Sequence, residues 1–245
     1  MTRAAQAPAA RFGGLVATGL RDVTADLEAL DSIGRWAVVL PYSGEPTLAR
    51  FEDWRPGPAS AVAGPWSGPA RWRSSMDRDV YIAAVETVRE RIADGDVYQA
   101  NICRVMEAEL PDPSRADVGG LHALLSRGNP APYEGMLRLP GHGVNIACAS
   151  PELFLRREGS TVESGPIKGT GRTSADLSDK DAAENIMIVD LVRNDLSRAS
   201  RVGSVSVPAL LAEEAHPGLV HLVSYVRGEL RPDCGWAELV EATFP

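Results

Sequence analysis

Cysteine and long apolar runs are both scarce in this sequence. The three cysteines, Cys103, Cys148 and Cys234, are odd in number and widely spaced, so they predict neither a disulfide framework nor a zinc site. We expect them to be small buried apolar residues. No stretch approaches the roughly 18 apolar residues that a membrane helix requires, and no apolar leader follows the first residues. The sequence predicts a cytoplasmic protein that binds no membrane.

Positive charge is scarce as well. The 25 Lys and Arg residues are outnumbered by 33 Asp and Glu residues, which gives a formal net charge of -8. Because nucleic acids bind to clustered Lys and Arg, this balance argues against a nucleic-acid partner. An anionic substrate would then need a local cation or a metal ion. The 44% of hydrophobic residues in a chain of 245 is ample for a core and excludes a disordered chain.

The residue patterns predict a mixture of helices and strands. Asp77 is the predicted N-cap of a helix that ends at Gly95 and whose apolar stripe should pack on a core. Further helices are predicted at Leu121–Leu125, from about Ser178 to Ser197, and from Trp236 onward. The predicted strands are Trp36–Leu40, Leu48–Trp54, Val97–Leu110, Met136–Leu139, Val144–Cys148, Leu153–Arg157, Thr161–Ser164, Ser204–Val207 and Val220–Val226. The four strands between residues 136 and 164 should form an antiparallel meander.

The helix predicted from Ser178 places two carboxylates on one of its faces. Asp181 and Glu184 are three residues apart and share that face with apolar residues such as Ile188. Carboxylate oxygens suit Mg²⁺, which usually takes one or two of them together with substrate oxygens. The alternative is that both acids only complement the helix dipole near its N-terminus.

One lysine lies among glycines in the segment Gly165-Pro166-Ile167-Lys168-Gly169-Thr170-Gly171. Glycine lets the backbone approach a ligand closely, and backbone N–H groups with the Thr170 hydroxyl can bind an anion. The residue order excludes a phosphate-binding P-loop. Lys168 is therefore either a solvated loop residue or a nucleophile whose pKa is lowered by desolvation or by a nearby cation.

Glu152 and His221 each have a functional and a structural interpretation. Glu152 precedes apolar residues, where a raised carboxyl pKa would let it act as an acid or base. Alternatively, it is a surface residue of an edge strand. His221 lies in an apolar run and is either catalytic or a satisfied core histidine.

The order of several motifs resembles the chorismate-utilising enzyme family. The matching blocks are Gly95–Asn101, Ser150–Leu155, Pro166–Thr170, Lys180–Asp195, and Gly203–Pro208 followed by His221–Ser224. Five ordered blocks over roughly 150 residues are more specific than any single motif. The resemblance implies an α+β fold of two packed antiparallel sheets flanked by helices. Residues 1–72 would be an N-terminal β-rich region, and residues 73–245 the chorismate-binding catalytic region of the same domain.

Two positions indicate a branch of this family. Relatives that add water to chorismate carry lysine where this chain has Gln99, and anthranilate synthases carry alanine where it has Lys168. The resemblance therefore implies amination of chorismate at C4, on the route to p-aminobenzoate and folate, with anthranilate synthesis as the alternative. Mg²⁺ held by Glu184, with Asp181 close by, would neutralise the ring carboxylate. Lys168 would attack C2 while the C4 hydroxyl leaves, and ammonia would then displace the lysine.

The same resemblance implies roles for other residues and a partner. Glu152 would protonate the leaving hydroxyl, and His221 would be the third catalytic residue, beside the substrate. Gly169, Thr170 and Gln99 would bind the substrate. Ammonia would come from a separate glutamine amidotransferase subunit.

A tryptophan site remote from the reaction centre is a further property that the resemblance implies. The positions that match it are Ser43 in a predicted hairpin and the run Pro132-Tyr133-Glu134. Glu134 replaces a smaller residue of the family.

The sequence departs from the family at its end. In the family, a segment like Glu241-Ala242-Thr243-Phe244-Pro245 leads into a Gly-Gly-Ser/Thr-x-Thr-Gly-Ala-Pro-Lys block and further metal- and substrate-binding residues. We therefore expect a C-terminally truncated chain with an incomplete domain. The alternative to an enzyme is a catalytically inactive fragment that retains only partner binding.

Overall fold

The structure of this protein is a computed structural model, and it describes residues 7–244. The described residues form thirteen strands and four α-helices, which confirms the predicted α+β class. The strands are β1 (Ala9–Phe12), β2 (Leu15–Thr24), β3 (Arg35–Val39), β4 (Thr47–Pro56), β5 (Arg73–Ser74), β6 (Met106–Glu107), β7 (Tyr133–Leu139), β8 (Val144–Ser150), β9 (Leu153–Glu158), β10 (Thr161–Gly165), β11 (Ile167–Gly171), β12 (Ser206–His216) and β13 (Leu219–Glu229). The helices are α1 (Arg78–Asp94), α2 (Val118–Gly128), α3 (Asp179–Ala199) and α4 (Trp236–Thr243).

Two expectations concern ends of the chain that lie outside the described residues. The predicted lack of a leader depends partly on residues 1–6, and the terminal block includes Pro245. Within residues 7–244, no helix is both long enough and apolar enough to span a membrane.

The chain separates into two compact units. One contains the residues up to Ala63 together with those from Val118 onward, and the other contains Gly64–Asp117. The larger unit holds an antiparallel sheet of strand order β3-β4-β2-β1-β7-β8 and a second sheet of order β11-β13-β10-β9, in which β12 also pairs with β13. The smaller unit contains α1 and the strand pair β5–β6. The predicted boundary between residues 72 and 73 stays a prediction.

The first sheet begins with a hairpin that the sequence interpretation missed. Gly13 and Gly14 connect β1 to β2 with φ angles of 55° and 77°, which glycine adopts without a steric penalty. A Gly-Gly pair between two apolar runs is a recognised hairpin signal, so the information was present in the sequence. Leu48 and Phe51 of β4 and Leu137 of β7 are among the buried residues of this sheet.

The second sheet is covered by α3. Val189 and Leu196 of the helix form one apolar core with Val162 of β10 and Val226 of β13. The helix begins at a capping box in which the Ser178 side chain accepts from the backbone N–H of Asp181. A local signal therefore sets where α3 starts, and apolar burial sets which face it turns to the sheet.

The predicted meander is wrong, because its strands are divided between the two sheets. β7 and β8 pair in the first sheet, whereas β9 and β10 pair in the second. Pro151 lies between β8 and β9, where a residue without an N–H group cannot continue a hydrogen-bonded ladder. The chain leaves one sheet and enters the other at this point.

Three further expectations are corrected by the structure. Of Val97–Leu110, only Met106–Glu107 is a strand within the described residues, because strand propensity without a pairing partner does not make a strand. Every residue of α1 is exposed or half-buried, so its apolar stripe is not packed into a core as predicted. Cys234 is buried, but Cys148 is half-buried and Cys103 is exposed.

Candidate functional site

Lys168 lies on a strand rather than in the predicted loop. β11 pairs with β13, and the register shifts between Ile167 and Thr170. Gly169 lies in this irregular segment with a φ angle of 86°, and a Cβ atom there would lie 2.7 Å from the Cβ of Asp181. Glycine is therefore required both by the backbone conformation and by the close approach of β11 to the start of α3.

Thr170 and His221 are brought together by this pairing. They are opposite each other on β11 and β13, and Thr170 Oγ1 lies 2.8 Å from His221 Nδ1. The imidazole is buried, with 6% of the residue exposed. Burial and the neighbouring His216 lower the pKa of His221, while the carboxylates of Glu214 and Glu152 oppose that shift. The structure therefore favours a neutral imidazole at this point.

Glu152 is tied to the backbone next to Lys168. Its Oε1 atom accepts a hydrogen bond of 2.7 Å from the N–H of Ile167, the residue before the lysine. The Glu152 residue is exposed, unlike the apolar environment that the sequence suggested. It also contributes to the electrostatics of His221. Glu152, Lys168, Thr170 and His221 thus belong to one neighbourhood around β11.

A cavity of about 430 Å³ adjoins this neighbourhood. Ser150, Glu152 and Pro166 line one part of it, and Ile188 and Asp195 of α3 line another. Its volume is in the range of small-molecule sites, and its lining combines apolar side chains with two carboxylates. It could accept a ligand of a few rings.

The two predicted metal ligands of α3 already have protein partners. Asp181 Oδ2 accepts bonds of 2.8 Å from the Ser178 N–H and of 2.6 Å from its hydroxyl, and these bonds lower the pKa of the Asp181 carboxyl. Glu184 Oε1 lies 2.9 Å from Lys180 Nζ, and this pairing raises the pKa of Lys180. Asp181 therefore has the structural role that the sequence left open as the alternative, in the form of helix capping.

No group of three or more His, Cys, Asp or Glu side chains is placed to hold a metal ion in the part of the chain that the structure describes. Asp181 and Glu184 supply carboxylate oxygens of the kind that Mg²⁺ binds. Magnesium binding stays a prediction that depends on these two residues.

Gln99 belongs to the smaller unit, whereas the predicted tryptophan-site residues belong to the first sheet and its adjoining segments. Gln99 belongs to the unit Gly64–Asp117, where it is half-buried. Ser43 is exposed in the β3–β4 connection, and Pro132 directly precedes β7. Tyr133, the first residue of β7, is hydrogen-bonded to Tyr225 of β13.

Glu134 is the centre of a buried ionic cluster. Arg11 Nη1 lies 2.6 Å from Glu134 Oε1 and 3.1 Å from His122 Nε2. Burial raises the pKa of the Glu134 carboxyl, but the neighbouring Ser126, Arg11 and His122 outweigh it and leave the pKa below its ordinary value. Burial is the main cause that lowers the pKa of His122. The negative charge of Glu134 is therefore balanced within the protein by the guanidinium of Arg11.

The match to known proteins covers most of the chain. Residues 46–245 match the family described as chorismate binding enzyme. The chain belongs to the chorismate binding enzyme family. Aminodeoxychorismate synthase component 1 of Klebsiella aerogenes is 32% identical over 243 residues, which cover 90% of this chain and 52% of that protein. Anthranilate synthase component 1 1 of Haloarcula marismortui is 37% identical over 188 residues, which cover 72% of this chain and 37% of that protein.

A solved structure shows the chorismate binding enzyme fold. The crystal structure of anthranilate synthase component I from Streptococcus pneumoniae superposes with a TM-score of 0.66 at 21% sequence identity. The superposition covers 96% of this chain and 61% of that chain. The chain spans about half the length of curated relatives such as the component 1 proteins of Klebsiella aerogenes and Bacillus subtilis.

The side chains around His221 were not predicted from the sequence of this family member. Glu214 and His216 belong to β12, and the strand predicted there ended at Val207. Residues 206–216 alternate between exposed and half-buried positions apart from a break at Leu211–Ala212, but the residue types SVPALLAEEAH do not show this alternation. Tyr225 was inside a predicted strand, but its contact with Glu214 depends on tertiary pairing.

The cluster at Glu134 predicts a pH dependence of stability. The pKa of His122 is lower in the folded chain than in the unfolded chain, so the unfolded chain binds the proton more strongly. The contribution of neutral His122 to the free energy of unfolding should therefore be fully present above about pH 6.5, the ordinary histidine pKa. This contribution should be lost as the pH falls from there through the lower pKa of the folded state. In urea unfolding experiments, the free energy of unfolding of His122→Phe should fall less between pH 7.5 and pH 5 than that of the wild type. The exposed His142, changed to Phe, is the matched control.

Proposed function

We propose that this chain is part of an aminodeoxychorismate synthase component I, which aminates chorismate at C4. Relatives of that name support the proposal, although anthranilate synthases are similar to the chain as well. The observation that carries it is Lys168 on β11, next to a backbone group bound by Glu152 and two residues before Thr170, the partner of His221. An amine at this place can attack a ring bound on β11.

Each residue of this neighbourhood has a role in the proposed reaction. The Lys168 amine forms a bond to C2 of chorismate while the C4–O bond breaks, and the hydroxyl leaves as water with the proton of Glu152. Ammonia then forms a bond to C4, the bond between C2 and Lys168 breaks, and the new ammonium group returns a proton to Glu152. The net reaction converts chorismate and ammonia to 4-amino-4-deoxychorismate and water.

The polar groups of β11 and β13 would orient the substrate. The N–H group of Gly169 and the hydroxyl of Thr170 would bind a substrate carboxylate, because the irregular strand leaves backbone groups available for an anion. With the Thr170 hydroxyl donating to this carboxylate, Nδ1–H of a neutral His221 would donate to Thr170, and Nε2 would accept a hydrogen bond from the substrate.

Magnesium is part of the proposal. Glu184 and Asp181 would hold it, and Mg²⁺ when bound would neutralise the ring carboxylate of chorismate and withdraw electrons from the diene. The ion pair of Glu184 with Lys180 is exposed, so breaking it costs little.

The partner and the pathway are also proposals. The proposed reaction consumes ammonia, and the residues assigned to it only transfer the amine to the ring. A glutamine amidotransferase subunit would therefore supply the ammonia. The product would be the precursor of p-aminobenzoate and hence of folate.

A product analysis tests the proposed function. The protein from its complete reading frame is incubated with chorismate, Mg²⁺ and ammonium ions. The products are separated by chromatography and identified by mass spectrometry. We expect 4-amino-4-deoxychorismate as the main product. Anthranilate as the main product would instead support the second candidate function, anthranilate synthesis, which the relative from Haloarcula marismortui favours.

A further inference from the structure

Two side chains of β12 face His221 from the side opposite Thr170. Glu214 is the cross-strand partner of His221, and His216 lies two residues further along the same face. The rings of His216 and His221 are edge to face, with centroids 4.7 Å apart and an interplanar angle of 61°. Glu214 Oε2 lies 3.9 Å from His216 Nε2. His221 is thus contacted on both edges of its strand.

Glu214 is itself held in place. The Tyr225 hydroxyl donates a hydrogen bond of 2.8 Å to Glu214 Oε1. Burial and the Glu214 carboxylate raise the pKa of Tyr225, so this hydroxyl stays protonated and remains a donor. The Tyr225 ring also packs tightly on Gly165, where an added Cβ would lie 2.9 Å from it. The carboxylate therefore has a fixed position relative to both histidines.

We propose that Glu214 and His216 are positioning residues that fix the ring plane of His221. The proposal depends on the proposed function, because it assigns His221 to the chorismate site. The His216 ring limits rotation of the His221 ring by edge-to-face packing, and the Glu214 carboxylate lies beside the His216 ring, 3.9 Å from its Nε2. Thr170 engages Nδ1 from β11, so the other ring nitrogen keeps a constant direction toward the substrate.

The charges around His221 make this role measurable. His216 lowers the pKa of His221, whereas Glu214 of the same strand and Glu152 of the β8–β9 connection raise it. Removing Glu214 should therefore lower the pKa of His221, and removing His216 should raise it. A role limited to packing would not shift the pKa of one histidine in opposite directions.

The experiment compares Glu214→Gln, His216→Phe and the control Glu213→Gln in the protein from its complete reading frame. Glu213 is the exposed neighbour of Glu214 on the opposite face of β12. The His221 ring is titrated by NMR, with its signal assigned from His221→Gln, and kcat/KM for chorismate is measured against pH. We expect kcat/KM to fall about tenfold in Glu214→Gln, with its acidic limb moved to lower pH. His216→Phe should keep the ring packing but move the limb to higher pH, and Glu213→Gln should match the wild type.

The outcomes separate this proposal from the proposed function. Opposite shifts of the His221 titration with no chorismate turnover in the wild type would support the contacts of Glu214 and His216 with His221, but would overturn the proposed function and with it the assignment of His221 to a chorismate site. Turnover with an unchanged His221 titration and pH profile in Glu214→Gln and His216→Phe would overturn the positioning roles alone. Equal shifts in Glu214→Gln and Glu213→Gln would also overturn them, because the effect would then follow net charge rather than position.

Discussion

Replacing Lys168 by alanine is expected to lower the rate of 4-amino-4-deoxychorismate formation by about 10³-fold or more, the scale for loss of a covalent nucleophile. The physical reason is that the change removes the proposed nucleophile, the amine of the residue that follows Ile167, and leaves the backbone of β11 in place. Initial rates with chorismate, Mg²⁺ and ammonium ions would measure it. Binding of chorismate should change far less than kcat, because Gly169 and Thr170 remain.

Two companion variants define what the result means. Lys168→Arg keeps the positive charge, but a guanidinium group is not a nucleophile near neutral pH, so this variant should be as impaired as Lys168→Ala. Lys180→Ala removes the chain's other lysine, which is exposed, and should stay within about twofold of the wild type. Substantial activity in Lys168→Arg would show that the charge of the lysine matters and that the covalent step is wrong.

Replacing Asn185 by alanine is expected to lower the free energy of unfolding by about 3 kcal/mol. Asn185 is fully buried on α3, and its Nδ2 donates a hydrogen bond of 2.9 Å to the carbonyl of Leu222. Its Oδ1 accepts a hydrogen bond of 2.5 Å from the Ser224 hydroxyl. The Ser224 oxygen in turn accepts a hydrogen bond of 2.9 Å from the N–H of Leu211. The alanine would leave buried polar groups without partners and would also leave a cavity.

Urea unfolding monitored by circular dichroism would measure this loss. Asn194→Ala is the matched control, because Asn194 lies exposed on the same helix and should change the free energy of unfolding by less than about 0.5 kcal/mol. Equal losses in the two variants would show that helix propensity, and not the network to β13, governs the effect. Because Glu184 precedes Asn185, the network also sets the direction in which α3 presents its carboxylates.

Elements with local signals were predictable from the sequence. Asp77 accepts from the N–H of Val80 and Gly95 ends α1 with a φ angle of 82°, as their residue types indicated. The start of α3 at Ser178 followed from the same kind of signal. Capping depends only on residues within one turn, so a single sequence contains the information.

Features that depend on pairing between distant segments were not predictable in this way. β11 has the composition of a loop, and it is a strand because β13 pairs with it. The hydrogen bond between Thr170 and His221 joins residues 51 positions apart, so spacing could not predict it. The resemblance to a family named both residues, but their contact and the role of His216 required the structure.

The two faces of β13 have a consequence for how this protein can vary. His221 and Tyr225 point toward partners on β12 and β11, while Ser224 and Val226 point toward α3. Successive side chains of a strand alternate between faces, so deleting one residue from the middle of β13 would exchange the two sets beyond the deletion. Homologues should therefore keep the length of this strand between His221 and Val226 constant. Insertions and deletions should instead accumulate in the turn before it.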